Sequence, residues 1–333
     1  MTAHAALEAE LANEQAQIAA LKQAIAHAVV GQTEVVEQLL VGLFAGGHCL
    51  LEGVPGLGKT LLVRALGQAL HLSFRRVQFT PDLMPSDLIG TEILEEDHGT
   101  GKRFFQFQKG PVFTNLLLAD ELNRTPPKTQ SALLEAMQEG TVSYAGTTYE
   151  LPRPYFVLAT QNPIEQAGTY PLPEAQLDRF LLNIMVDYPS AEEELQIIAE
   201  TTGAARSKVP QVLDAEAVLS IQARVRELHI SDHLLRWVTR LLRATRPGPD
   251  APAVVREFVQ WGAGPRAGQA MVLCAKARAL LHGRLAATRA DIEAIALPVL
   301  RHRLLLNYRA EAEGKRVADL VNDLLRAVPC DAE

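Results

Sequence analysis

In the stretch HCLLEGVPGLGKT, residues 48–60, a short apolar run passes directly into a glycine-rich turn, and LLVRALGQAL after it has helical spacing. Gly53 to Thr60 fits the pattern G-x-x-x-x-G-K-[ST], with the strand and the helix that this pattern requires on either side. Each residue type has a physical task in such a turn. Gly53, Gly56 and Gly58 let backbone N–H groups close around phosphate oxygens with no Cβ in the way. Lys59 reaches the β and γ phosphates, Thr60 can ligate Mg²⁺, and the helix N-terminus favours the anion. The candidate nucleotide contacts are therefore Gly53, Pro55, Gly56, Leu57, Gly58, Lys59, Thr60 and Leu61. The expected cofactors are ATP and Mg²⁺.

Outward from this turn, further strand candidates are FRRVQF (74–79), NLLLAD (115–120), YFVLAT (155–160) and FLLNIMVDY (180–188). Helical patterns lie between them, notably PPKTQSALLEAMQEG, and residues 5–29 ahead of the turn repeat Ala, Leu and Ile at intervals of three and four. Apolar strands alternating with helices imply an α/β fold with a parallel sheet covered on both faces. From PSAEEELQIIAE (189–200) onward the strand signals stop and helical segments follow, punctuated by RPGPDAP and GAGPRAG. The expected division is an α/β core over 1–188 and a smaller, all-helical domain over 189–333.

The strand LLLAD ends on two adjacent acids, Asp120 and Glu121, in LLLADELNR. Carboxylates repel one another and resist burial, so the pair needs something positive to face. A magnesium ion on the bound nucleotide supplies it. Asp120 would hold that ion through its water shell, and Glu121 would orient a water for in-line attack on the γ-phosphate. The bland alternative is an acidic cap on the helix that follows.

Composition narrows the rest. At 333 residues the chain is long enough for two domains, and its net charge of −7 disfavours a protein that mainly grips nucleic-acid backbones. No apolar run approaches a membrane span and the first residues lack a signal-peptide pattern, so the expected location is cytoplasmic. Cys49, Cys274 and Cys330 have no close spacing, which speaks against disulfides and thiolate metal sites. His229 and His233 are spaced to share a helix face but have no third ligand nearby, and read as a solvated face.

With GVPGLGKT, LLLADELNR and VLATQNP in this order, the chain resembles the AAA+ ATPases. QFTPDLMPSDLIGTEI, GPVFTNLLLADELNRTPPKTQSALLEAMQEG, VLATQNPIEQAGTYPLPEAQLDRF and GPRAGQAMVLCAKARAL look like signature blocks of the MoxR-type members, a match over nearly the whole chain. The resemblance implies an AAA+ P-loop core followed by a helical lid. It implies that Asn162 in ATQNP senses the γ-phosphate opposite Glu121, and that Arg179 in QLDRF is an arginine finger entering a neighbouring subunit's site. It also implies that Arg266 in GPRAG reports nucleotide state to the lid, and that VVGQ, with Val30 and Gly31, lies beside the adenine. Residues 86–112 match the family's insert in the second helix and residues 141–153 the hairpin before the sensor strand. Both hairpins carry too little positive charge for a DNA grip, and Arg124 is a weaker candidate at the subunit boundary.

The function so implied is a chaperone-like motor, a head-to-tail and typically hexameric ring. It would mature or activate a protein client complex, usually with a partner carrying a von Willebrand factor A domain. Two other classes stay open: a slowly turning nucleotide-loaded switch or scaffold, and, against the acidic charge balance, a DNA or RNA translocase.

Overall fold

The computed structural model describes residues 3–26, 28–29, 31–54, 56–96, 103–162, 168–201 and 209–330. The chain begins with α1 (Ala3–Ala26) and α2 (Thr33–Phe44), then β1 (Cys49–Glu52), α3 (Lys59–Ala69) and β2 (Phe74–Gln78). A short α4 (Pro85–Ile89) leads into a hairpin of β3 (Gly90–Glu96) and β4 (Arg103–Lys109), followed by β5 (Leu116–Asp120) and α5 (Pro127–Glu139). A second hairpin, β6 (Thr141–Tyr144) and β7 (Thr147–Glu150), precedes β8 (Phe156–Gln161), α6 (Glu174–Leu177) and β9 (Leu182–Met185). The remainder is α7 (Ala191–Thr201), α8 (Ala215–Glu227), α9 (Asp232–Ala244), α10 (Ala253–Phe258), β10 (Val259–Trp261), α11 (Pro265–Leu281), α12 (Arg289–Leu300), β11 (Leu305–Leu306), α13 (Tyr308–Ala312) and α14 (Val317–Ala327).

The central sheet is parallel, in the order β2-β5-β8-β1-β9. Apart from the edge strand β2, its strands alternate between two buried faces, as the two-residue period of a strand demands. Cys49, Leu51, Leu116 and Leu118 join a cluster that runs through α2 and α3 and on into the C-terminal helices. Leu50, Leu117, Val157 and Ala159 face a second cluster beneath α5. Because the strands are parallel and in register, their carboxyl ends emerge together, with Glu52, Asp120 and Gln161 on one rim.

The C-terminal part is a helical lid with one addition that the sequence pattern did not announce, an antiparallel pairing of β10 with β11. Strands of three and two residues are too short for an alternating signal to register. The insert expected over 86–112 is the β3–β4 hairpin; its centre DHGTGK lies outside the described residues, as do Val30 and Pro55. Phe107 on β4 stacks on Tyr149 of the second hairpin with ring centroids 4.5 Å apart, and on Tyr144 at 5.0 Å, so the two hairpins are packed together. Beyond that junction Leu94, Phe104 and Phe105 stay exposed. No helix among the described residues is long and apolar enough to cross a membrane.

Candidate active site

The turn after β1 is built by backbone conformation. Gly56 and Gly58 have φ of +88° and +73°, a region that side-chain-bearing residues rarely adopt, and a Cβ at Gly53 would come within 2.4 Å of the Val186 carbonyl. Gly58 caps α3, so Lys59, Thr60 and Leu61 form its first turn, where N–H groups lack helical partners. Gly56, Gly58, Thr60 and Leu61 are exposed, and Lys59 and Leu57 are half-buried. Lys59 Nζ donates to the Gly53 carbonyl at 2.6 Å. Gln32 Nε2 donates to the Leu57 carbonyl at 2.9 Å, which ties Gly31 and its neighbour to the same turn.

Two strands away, Asp120 closes β5 and Glu121 follows in a left-handed conformation with φ 58°. That turn sends the two carboxylates in different directions. Burial pulls the Lys59 ammonium below its ordinary value while the Asp120 and Glu121 carboxylates push it back up, so the amine and both acids share one electrostatic environment.

Each carboxylate has its own set of donors. Thr160 on β8 donates its hydroxyl to Asp120 Oδ1 at 2.6 Å and accepts the Glu121 N–H at 2.9 Å, which fixes the direction of its proton. Arg76 on β2 meets Asp120 Oδ2 through Nη2 at 2.7 Å and Nε at 3.1 Å. Gln78 Nε2 donates to Glu121 Oε2 at 2.6 Å, and Arg124 Nη1 lies 3.1 Å from the same oxygen. Arg76, Gln78 and Thr160 were missed by sequence reasoning. Arg76 and Gln78 are two apart in FRRVQF, a polar pair on one strand face, but only the pairing of Gln78 with Asp120 across β2 and β5 says what that face meets.

The hydroxyl of Thr60 and the carboxylate of Asp120 are hard oxygen donors, the kind magnesium takes, with Thr60 exposed at the helix start. The residues therefore fit the ion. Asn162 follows the carboxyl end of β8, which lies between β5 and β1, and is 5% exposed.

Arg179 and Arg266 lie at a different place, where the lid meets the segment after α6. Arg179 Nη1 donates to the Leu134 carbonyl at 2.9 Å, and makes no ion pair with Asp178 or Glu174 among the described residues. Asp178 is instead held by Arg303 Nε at 2.7 Å, with Arg266 Nη1 3.8 Å away. Arg303, buried to 4% exposure, also donates to the carbonyls of Phe180 at 2.7 Å, Leu181 at 3.1 Å and Val299 at 2.6 Å. His302 Nε2 pairs with the Phe180 carbonyl and Arg301 Nη1 with that of Asn183. Burial holds the His302 imidazole well below its usual value, so it is neutral and donates from Nε2. The tripeptide 301–303 thus clamps the lid to residues 178–183. No sequence motif pointed to it, because its partners are 118 to 125 residues away.

Among the described residues no group of His, Cys, Asp and Glu could hold a metal by itself. His229 and His233 do not share a helix: His233 is on α9, with Nε2 3.0 Å from Cys330 Sγ, whereas His229 precedes α9 and pairs through its backbone with Ala286.

The family described as the ATPase family associated with various cellular activities matches residues 48–182, and the AAA lid domain matches residues 252–324. Chaperone MoxR1 of Mycobacterium tuberculosis is 44% identical, over 90% of this chain and 78% of its own length. Protein MoxR of Methylorubrum extorquens is 34% identical, over 93% of each. A crystal structure of a candidate ATPase from Cytophaga hutchinsonii superposes with a TM-score of 0.91 at 41% identity, covering 99% of both chains.

Proposed function

The chain belongs to the MoxR-type AAA+ ATPases, and from that premise we propose that it is an ATP-hydrolysing motor that remodels a partner protein complex. The observation that carries this reading is the shared environment of Lys59, Asp120 and Glu121 at the carboxyl rim of the sheet.

Lys59 and the open N–H groups of the turn receive the β and γ phosphates. Thr60 and Asp120 would hold Mg²⁺, which would supply positive charge against the phosphates. Glu121, braced on Oε2 by Gln78 and Arg124, keeps Oε1 for the proton of the attacking water. Asn162 aims that water from the β8 end. Arg179, with no carboxylate partner among the described residues, is offered to the phosphates of a neighbouring subunit. A finger given to a neighbour calls for a head-to-tail ring, and the family resemblance favours a hexamer. Arg266 belongs to the same face through Asp178.

In this proposal the α/β core spans residues 1–188 and the lid the remainder, and the angle between them changes with nucleotide state. The exposed apolar edge of the β3–β4 hairpin, Leu94, Phe104 and Phe105, meets the client. The partner is a protein with a von Willebrand factor A domain, in the cytoplasm.

Two measurements test the reading. Mixed Arg179→Ala and Lys59→Ala subunits should regain ATPase activity that neither has alone; a mixture as inactive as its components refutes the finger in trans. Glu121→Gln, purified from its own cells with ATP and Mg²⁺, should retain a protein that Lys59→Ala does not. Identical co-purifying proteins would overturn nucleotide-controlled remodelling.

A further inference from the structure

Helix α7 is amphipathic, yet none of its described side chains, residues 191–199, is buried, and Leu195 and Ile198 are 70% and 55% exposed. They lie three apart and so share one helix face, which Tyr188, 75% exposed, extends just before the helix. The helix is a designed element rather than a frayed one. Ser190 and Glu193 form a reciprocal cap, Ser190 N–H to Glu193 Oε2 at 2.8 Å and Glu193 N–H to Ser190 Oγ at 3.3 Å. Glu192, three residues before Leu195, and Glu194, four before Ile198, border the apolar face with negative charge.

Elsewhere on the chain a groove of about 850 Å³ between α9 and α11 has the opposite character. Leu235, Leu242, Val272 and Leu273 line it with apolar surface. Arg226, Arg243 and Arg246 stand exposed along it, and none of the three pairs with a carboxylate among the described residues. An acidic helix with an apolar face and a basic-edged apolar groove are complementary in both respects.

The two surfaces also lie where a head-to-tail contact would bring them together. Glu193 touches the nucleotide-side segment, since a Cβ on Gly31 would fall within 2.6 Å of its Oε1. The groove reaches Pro265, next to Arg266, which faces Asp178 beside the finger. One surface thus flanks the nucleotide turn and the other flanks the finger. We propose that α7 of one subunit docks in the α9–α11 groove of the next, its Leu195 and Ile198 inside and its acids on the arginines; the placement rests on the trans-finger reading above.

The test uses the full-length chain carrying Cys330→Ser, so that the remaining cysteines, Cys49 and Cys274, are buried. Subunits with Leu195→Cys are mixed with subunits carrying Gln269→Cys and ATP, and oxidised. A disulfide-linked dimer that forms only in the mixture supports the contact. Independently, Leu195→Asp should leave the melting temperature unchanged and weaken assembly about tenfold or more in sedimentation, from the loss of one buried leucine. Arg243→Glu should do the same, and Glu194→Arg should restore it in part. No cross-link, or Leu195→Asp assembling like the parent, overturns the docking. If the Arg179→Ala and Lys59→Ala mixture regains activity in that case, the finger reading survives alone; if it does not, both fall. A cross-link without regained activity keeps the docking and removes the finger.

Discussion

Replacing Arg303 with methionine removes the guanidinium that joins the lid to residues 178–183, the segment that carries Arg179, while keeping most of the apolar volume. The variant forfeits an ion pair to Asp178 at 2.7 Å and hydrogen bonds to the carbonyls of Phe180, Leu181 and Val299. Breaking a buried charged pair costs about 3–5 kcal/mol. Asp178 is 34% exposed and the Phe180 carbonyl keeps His302, so water and that imidazole compensate in part and place the loss near the lower bound, about 3 kcal/mol. With an unfolding entropy of about 2.1 cal/mol/K per residue over 333 residues, or about 0.7 kcal/mol/K, the melting temperature should fall by about 4 °C. The effect on turnover should be much larger. On the proposed role of Arg179, its displacement by about 1 Å costs on the order of 10²-fold in rate, whereas the variant's own glycine-rich turn is untouched and ATP affinity should hold. Mixing with Lys59→Ala subunits, whose residues 178–183 keep their clamp, should restore activity. Asp291→Asn, at the opposite end of α12 from the 301–303 clamp, serves as the control for stability loss alone. Wild-type turnover in Arg303→Met, a loss no larger than in the control, or no rescue on mixing would each refute the reasoning.

Gln78→Ala should lower kcat about tenfold with KM unchanged, because Glu121 Oε2 loses one of its two braces and a hydrogen bond to a charged group contributes about 1.5–3 kcal/mol; a rise in kcat would mean that the bond restrains the Glu121 carboxylate rather than aiming it. Asp291 is fully buried; burial opposes its ionisation, but donors from Arg284, Thr288 and Arg278 prevail and hold its carboxyl down at about 2. A folded value below the unfolded one means that its contribution, about 2 kcal/mol, is complete above about pH 4 and lost as pH falls through about 2, so an Asp291→Asn variant should show a flatter acid-unfolding profile; an unchanged profile contradicts this. Phe107→Ala should free the β3–β4 hairpin from Tyr144 and Tyr149, raising hydrogen exchange in both hairpins and reducing client-stimulated turnover while basal ATPase stays within twofold, since aromatic pairs contribute only about 0.5–1.5 kcal/mol each; equal loss of basal and stimulated rates would count against it.

What the sequence determined by itself was whatever is encoded within a few residues. The strand-turn-helix at 48–60, the apolar run ending in Asp120 and Glu121, and the alternation of strands with helices are local patterns of period, glycine and charge, and they led to the α/β core and helical lid that the structure has. They also named Lys59, Asp120 and Glu121, which the fold brings into one environment. Tertiary structure alone decided which side chains surround these groups. Arg76 and Gln78 belong to the site because β2 lies beside β5 in one register, and a shift of one residue would have turned both to the opposite face. Arg303 joins the segment around Arg179 because a lid helix ends against residues 178–183, more than a hundred positions earlier in the chain. Leu195 reads as an ordinary core position of an amphipathic helix, and only the packing shows it left in the open. Such contacts arise from chain segments meeting in space, and no local period records which segments will meet.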